Sequence, residues 1–249
     1  MSGDSGETVT AGLLVIGDEI LSGQTKDKNI GYVAEYLTAL GIDLLEVRIV
    51  PDVEERIIEA LDVLRARYTY VFTTGGIGPT HDDITADAVA KAFGVALPID
   101  QRAVALLLER IRPEDLNEAR LRMARIPEGA ELIPNSVSSA PGFRIGNVFV
   151  MAGVPAIMRA MLDAVGPTLK HGARLESRSV AVHLKEGDIA GPLAAIAKTH
   201  PGVVIGSYPH QEGQTFTTTL VLRSRDAAAL DAAEAAVRAM IEDVKAARV

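Results

Sequence analysis

The sequence has no cysteine and no tryptophan, only five tyrosines and five phenylalanines, and a shortage of positive charge. Without thiols there is no disulfide, no thiolate nucleophile, no thiolate zinc site and no cysteine-held iron–sulfur cluster, and a cytoplasmic location is the simplest expectation. Aromatics at 4% leave little material for a platform on which nucleic-acid bases stack. Lys and Arg number 25 against 33 Asp and Glu, a formal net charge of −8. Such a chain repels a phosphate backbone at long range, so nucleic acid is not an expected partner. No apolar run approaches the ~18 residues that cross a bilayer, so no membrane partner is expected either. The first ten residues have neither the basic nor the long apolar region of an export signal, and residues 1–10 read as a disordered leader.

What is present is ample apolar material. With 249 residues and 48% hydrophobic content the chain is long enough for one large or two modest folded domains. Residues 13–16 form an apolar run closed by Gly17, the pattern of a fully buried strand. Residues 29–40 space Ile30, Val33, Ala34, Leu37 and Leu40 along one helical face. A strand over 44–50 precedes a helix expected to start at Pro51 and Asp52 and to run to Arg67, and a third apolar strand spans 70–74. Helical spacing returns over 85–93 and 102–111, and an apolar strand over 147–150 leads into Gly153-Val154-Pro155. Strands alternating with helices predict a mostly parallel sheet covered on both faces, with its chemistry at the carboxyl ends of the strands. After Ser177 the order becomes strand, helix, strand, strand, helix, ending in an Ala-rich helix over 227–246. That order predicts a smaller α+β module, giving domains over 11–170 and 176–249.

The strongest local signal is Thr73-Thr74-Gly75-Gly76-Ile77-Gly78-Pro79-Thr80-His81-Asp82-Asp83-Ile84-Thr85. Three glycines after a buried strand, followed by a hydroxyl and a helix start, suit the backbone capture of a phosphate or pyrophosphate. The same residues also fit a tight turn whose Asp82 or Asp83 only caps the next helix. Carboxylates recur at the neighbouring strand ends: Asp18 and Glu19, Asp27, Asp52, and Asp82 and Asp83. Mg²⁺ binds through one or two carboxylates plus phosphate oxygens, so Asp52, Asp82 and Asp83 are candidate ligands of Mg²⁺ or another divalent cation. His81 is a loop residue, and the other four histidines are scattered without metal-ligand spacing.

Together these stretches carry a resemblance. Gly17-Asp18-Glu19-Ile20-Leu21-Ser22-Gly23, Val50-Pro51-Asp52, the glycine loop and Gly153-Val154-Pro155 resemble the molybdopterin-binding domain of the MoaB/Mog type over about residues 13–169. The variant most resembled is the amino-terminal region of CinA-type competence/damage-inducible proteins, which is also similar to the molybdopterin-binding-like half of eukaryotic FAD synthases. Residues 186–190 and 205–209 resemble the KH-like middle module of CinA-type proteins.

The resemblance implies a three-layer α/β/α fold that binds a small-molecule nucleotide or pterin, with molybdopterin as one candidate ligand. It implies either metal-dependent cleavage of a nucleotide pyrophosphate such as ADP-ribose, or adenylylation of molybdopterin. By motif position Asp52 and Asp83 become the catalytic or metal-binding acids. Gly75, Gly76, Gly78, Pro79 and Thr80 become the phosphate loop, with Asp18, Glu19, Asn135, Gly142, Gly153 and Pro155 as further binding positions. Two departures stand out: Ser138 where the Asn135 to Gly142 motif usually has Gly, and Ala156-Ile157 where a small polar residue and Glu usually follow Gly-Val-Pro. Relatives of this fold commonly assemble, so a homo-oligomer is expected.

Overall fold

The computed structural model describes residues 8–212 and 215–247. It divides into two units, Met1–Gly172 and Ala173–Val249. The first begins with β1 (Val9–Ile16), the four-residue turn of helix α1 (Asp18–Leu21), α2 (Ile30–Ala39), β2 (Ile42–Val50), α3 (Glu54–Arg67) and β3 (Tyr70–Thr74). It continues through α4 (Thr85–Phe93), α5 (Gln101–Leu108), short α6 (Glu118–Leu121), β4 (Glu131–Ile133), β5 (Gly142–Ile145), β6 (Val148–Met151) and α7 (Pro155–Val165). The six strands lie in the order β2-β1-β3-β6-β5-β4. The four on the β2 side run parallel, and β5 is antiparallel to both β6 and β4.

Alternation along the strands divides the core between the two faces. On β1, Leu14 and Ile16 join the cluster that contains Ile57, Leu61 and Leu64 of α3, Val89 of α4 and Leu107 of α5. Leu13 and Val15 point the other way, into a cluster with Val33 and Leu37 of α2 and Met158, Met161 and Leu162 of α7. Phe72 and Phe149 stack in this second layer with ring centroids 5.2 Å apart. The outcome is the expected three-layer α/β/α architecture with a mostly parallel sheet.

Several boundaries differ from the sequence reading. β1 starts at Val9, inside the stretch read as a disordered leader, because Val9 is buried and paired in register with Ile42. Residues 1–7 of that stretch lie outside the described residues. α3 starts at Glu54 with Val53 as its extended cap, so Pro51 and Asp52 form a link between strand and helix. β4 and β5, of three and four residues, are too short for their alternation to register in the sequence, and so the antiparallel edge went unread.

The second unit contains β7 (Glu176–Val182), α8 (Glu186–Thr199), β8 (Val204–Glu212), β9 (Thr215–Ser224) and α9 (Ala227–Ala246). Its three strands form an antiparallel sheet in the order β7-β9-β8. Val180, Val182, Leu220 and Leu222 on one sheet face pack with Ile189 of α8 and with Leu230, Val237 and Ile241 of α9. The element order is the βαββα read from the sequence.

Candidate functional site

Four parallel strands bring four chain segments to one edge of the first unit: Gly17 after β1, Asp52 after β2, Gly75 after β3 and Ala152-Gly153 after β6. A cavity of about 810 Å³ opens there. Glu19, Asp52, Asp82 and Asp83 line it, and among the described residues no Lys or Arg does. Its apolar side comes from Leu107 and Ile111 at the end of α5, Met123, Ala140, Ile157 and Met161. The lining thus combines acidic groups with apolar surface that suits a flat or apolar ligand body.

The glycine loop is fixed largely by its own packing. Gly75 and Gly76 have φ of +105° and +67°, which glycine adopts freely. A Cβ at Gly75 would collide with the Ile16 carbonyl oxygen on β1, and one at Gly76 with the Thr85 hydroxyl. The buried Thr85 hydroxyl donates to the Gly75 carbonyl at 3.0 Å, while its N–H donates to the Gly76 carbonyl at 3.0 Å, so the start of α4 pins both glycines. At Gly153 a Cβ would stand 3.2 Å from the Gly75 Cα. These glycines let three strand ends close on one another, and the backbone of Gly75, Gly76 and Gly78 then lines the cavity.

Each acid has a different environment. Asp83 Oδ2 accepts from the Thr80 N–H at 2.8 Å and from the Thr80 hydroxyl at 2.5 Å, which clasps the loop shut. A Cβ on Gly78 would come within 2.6 Å of that same oxygen. Asp52 Oδ2 accepts the Asp18 N–H at 2.9 Å, tying the end of β2 to the start of α1. The Asp52 carboxyl is raised above its ordinary pKa, first by burial and further by the charges of Asp18, Glu19 and Asp82. Its negative form is thus held where a cation would relieve both costs. Among the described residues no three His, Asp or Glu side chains are grouped to hold a metal by themselves.

Of the residues singled out in the sequence, Glu19, Asp52, Gly75, Gly76, Gly78, Pro79, Asp82, Asp83, Gly153 and Pro155 all line the cavity. Asp18, Thr80, Asn135 and Gly142 are outside its lining. Asp18 offers its backbone to Asp52, and Thr80 sits in the Asp83 clasp. Asn135 Oδ1 accepts the Val137 N–H at 2.8 Å and its amide donates to the Ala140 carbonyl at 3.1 Å, which shapes the turn presenting Ser138, Ala140 and Pro141 to the cavity. Gly142 makes room for the Val150 carbonyl at the β5–β6 pair. Asp27 Oδ1 accepts the N–H groups of Asn29 and Ile30 at 3.0 and 2.8 Å, a turn that starts α2. The His81 side chain is 99% exposed and outside the cavity lining.

Sequence reading missed the apolar wall, because Leu107 and Ile111 are spaced like ordinary core positions. It also missed Asn29, a buried residue whose amide donates to the Gly153 carbonyl at 2.8 Å and so ties α2 to the β6 turn. An Asn ahead of a helix reads only as a cap.

A mixed α/β/α sheet with a glycine loop and an acid-lined cavity at its carboxyl edge is the architecture of a small-molecule-binding type of domain. Residues 12–171 match the family model described as probable molybdopterin binding domain, and the chain belongs to that family. Residues 174–249 match the model of the FAD synthase middle domain. A CinA-like protein of Citrifermentans bemidjiense is 41% identical over 207 residues, covering 80% of this chain and 49% of that protein. A putative competence-damage inducible protein of Clostridium beijerinckii is 32% identical over 228 residues, covering 88% of this chain and 56% of that one. The chain thus spans about half the length of these named relatives. A solved CinA of Thermoplasma acidophilum, described as of unknown function, is 34% identical with a TM-score of 0.61, covering 65% of this chain and 98% of that chain.

Proposed function

We propose that the first unit binds a nucleotide or pterin carrying a phosphate or pyrophosphate and, together with a divalent cation such as Mg²⁺, cleaves a nucleotide pyrophosphate of the ADP-ribose kind. The observation that carries this reading is the composition of the cavity wall: four carboxylates and, among the described residues that line it, no Lys or Arg, while Arg122 stands beside the glycine loop but outside that lining and donates to the Asp83 carbonyl at 3.2 Å. Phosphate oxygens brought to such a wall need a cation between, and a donor set of one or two carboxylates completed by phosphate oxygens and water fits Mg²⁺. When bound, the cation would neutralise charge that builds up at phosphorus. Asp52, Asp82 and Asp83 are the residues that would hold it. The Gly75 to Gly78 backbone positions the phosphate, and the Asp83–Thr80 clasp keeps that backbone in place. The wall of Leu107, Ile111, Met123 and Ile157 takes up the apolar body of the ligand and excludes water around it.

The test incubates the purified protein with ADP-ribose and Mg²⁺ and follows AMP by chromatography, with EDTA as control. AMP release that stops with EDTA and is lost in Asp52→Asn supports the reading. Absence of AMP, with tight ADP-ribose binding by calorimetry, would leave a binding module. Adenylyl transfer to molybdopterin is the second reading, and the family that residues 12–171 match favours it. Incubation with ATP and molybdopterin, read as adenylylated pterin, separates it from the first.

A further inference from the structure

Among the described residues β2 is an outer strand of the six-stranded sheet, with β1 on one side and no strand on the other. Edge strands of soluble proteins are usually short or guarded by charges, since a free row of N–H and C=O groups invites pairing. β2 has nine residues, and three of its apolar side chains are unusually open: Leu45, Val47 and Ile49 are 61%, 37% and 39% exposed. Between them stand Glu46 and Arg48, whose side chains join at 2.7 Å within the chain.

The direction of the backbone groups follows from one bond. The Gly17 N–H donates to the Val50 carbonyl at 3.1 Å, so Val50 turns its hydrogen-bonding groups toward β1. Alternation then turns Arg48 and Glu46 the same way, and leaves Val47, Ile49 and Leu45, the residue inserted at the register shift beside Ala11 and Gly12, facing the open side. A second strand can pair only through those outward residues.

We infer that β2 is an interface with a second copy of this chain, the two β2 strands pairing antiparallel about a two-fold axis at Val47. An axis at an outward residue sets like parity against like. Centred on Val47, it places Leu45 opposite Ile49 of the second copy and Glu46 opposite Arg48 of the second copy, each twice. Centred on Ile49 it would leave Arg48 facing Val50, and an axis at Arg48 would oppose two arginines. Opposite charges across a strand pair favour a register and like charges disfavour it, so the charge pattern selects Val47. The apolar row closes over itself in the same register, with the two Val47 side chains at its centre. The sheet becomes twelve-stranded and both open β2 edges vanish, which satisfies the self-complementarity of an isologous dimer.

Three variants test this by light scattering on the full chain. Val47→Pro removes an outward N–H while leaving the groups paired with β1 untouched, a substitution edge strands accept. It is expected to give monomer where the wild type gives dimer. Glu46→Arg and Arg48→Glu should each weaken the dimer roughly ten-fold or more, because two cross-strand pairs turn repulsive. Mixed together, the two variants should re-form a heterodimer, since every cross-strand charge pair is opposite again although each chain has lost its internal pair. A merely intramolecular Glu46–Arg48 role would give no such rescue. The absence of native cysteine adds a measurement that needs no loss of stability: Val47→Cys should oxidise to a covalent dimer far faster than Leu21→Cys, which is exposed elsewhere. A monomeric wild type at about 100 µM, well above the Kd of a specific dimer, would overturn the inference. So would an assembly indifferent to Val47→Pro, or equal oxidation at the two cysteine positions.

Discussion

Asp52 carries a cost in folding, and the proposed function gives the same charge a use. Its folded-state pKa is raised, so it holds a proton more tightly in the native chain than in the unfolded one. For an acid with that sign, ionisation opposes folding: the penalty is absent at low pH, grows as pH rises past the unfolded value, and is complete above the folded value. Asp52→Asn keeps the acceptor for the Asp18 N–H and removes the charge beside Glu19 and Asp82. The variant is expected to melt at the same or a higher temperature than wild type at neutral pH, and to lose affinity for Mg²⁺ measured by calorimetry with ADP-ribose present. A lower melting temperature with unchanged affinity would make Asp52 a strand-end tie and nothing more. The same proton competes with a cation, so Mg²⁺ affinity should decline on acidification at a higher pH than an ordinary aspartate would dictate. In Asp52→Asn that decline should move to lower pH.

Thr85 and Asp83 test the other half of the site, where loop geometry rests on side-chain hydrogen bonds. The Thr85 hydroxyl is buried and its bond to the Gly75 carbonyl has no water to replace it, so Thr85→Val should cost about 1–3 kcal/mol by urea denaturation. Asp83→Ala opens a partly exposed clasp and should cost less, about 1 kcal/mol, while weakening ligand binding more than that loss accounts for. If Asp83→Ala lowers stability alone, with ligand affinity intact, the clasp belongs to the helix start and the loop does not need it.

Among the elements, the ones legible in the sequence were those whose pattern is long or sharply bounded. β3 and α4 fall at residues 70–74 and 85–93 as read, and α9 at 227–246, because an apolar run or an amphipathic stripe ends at a glycine or a cap. The start of α3 was misplaced, since Pro51 and Asp52 are common first-turn residues and only the tie from Asp52 to Asp18 shows that they lie outside the helix. In the site, the glycine loop and the acids were legible because they cluster at strand ends, whereas the apolar wall was not, since Leu107 serves core and cavity alike. Asn135 and Gly142 were read as binding positions; neither lines the cavity, and their contacts shape a turn and a strand pair. α9 offers a test of element energetics: Leu230 is fully buried in the second unit's core, so Leu230→Ala should cost about 2–5 kcal/mol there. Circular dichroism should show that loss as an earlier transition while ligand binding to the first unit persists.

At the scale of the whole chain, the three hydrophobic clusters divide cleanly. Two belong wholly to residues 1–172 and the third wholly to residues 173–249. A unit that owns its core has the apolar burial it needs for independent folding. Every described residue lining the acid-walled cavity also comes from the first unit. A fragment of residues 1–172 is therefore expected to be folded, to melt in one cooperative step and to bind ADP-ribose with Mg²⁺ within a few-fold of the intact chain. If β2 pairs two copies, the fragment should also keep the dimer and its sensitivity to Val47→Pro, because Leu45 to Ile49 lie entirely within it. A fragment that is folded by circular dichroism yet has lost its ligand would mean that residues 173–249 complete the site. A folded fragment that binds ligand but is monomeric, where the intact chain is dimeric, would move the interface to the second unit and away from β2.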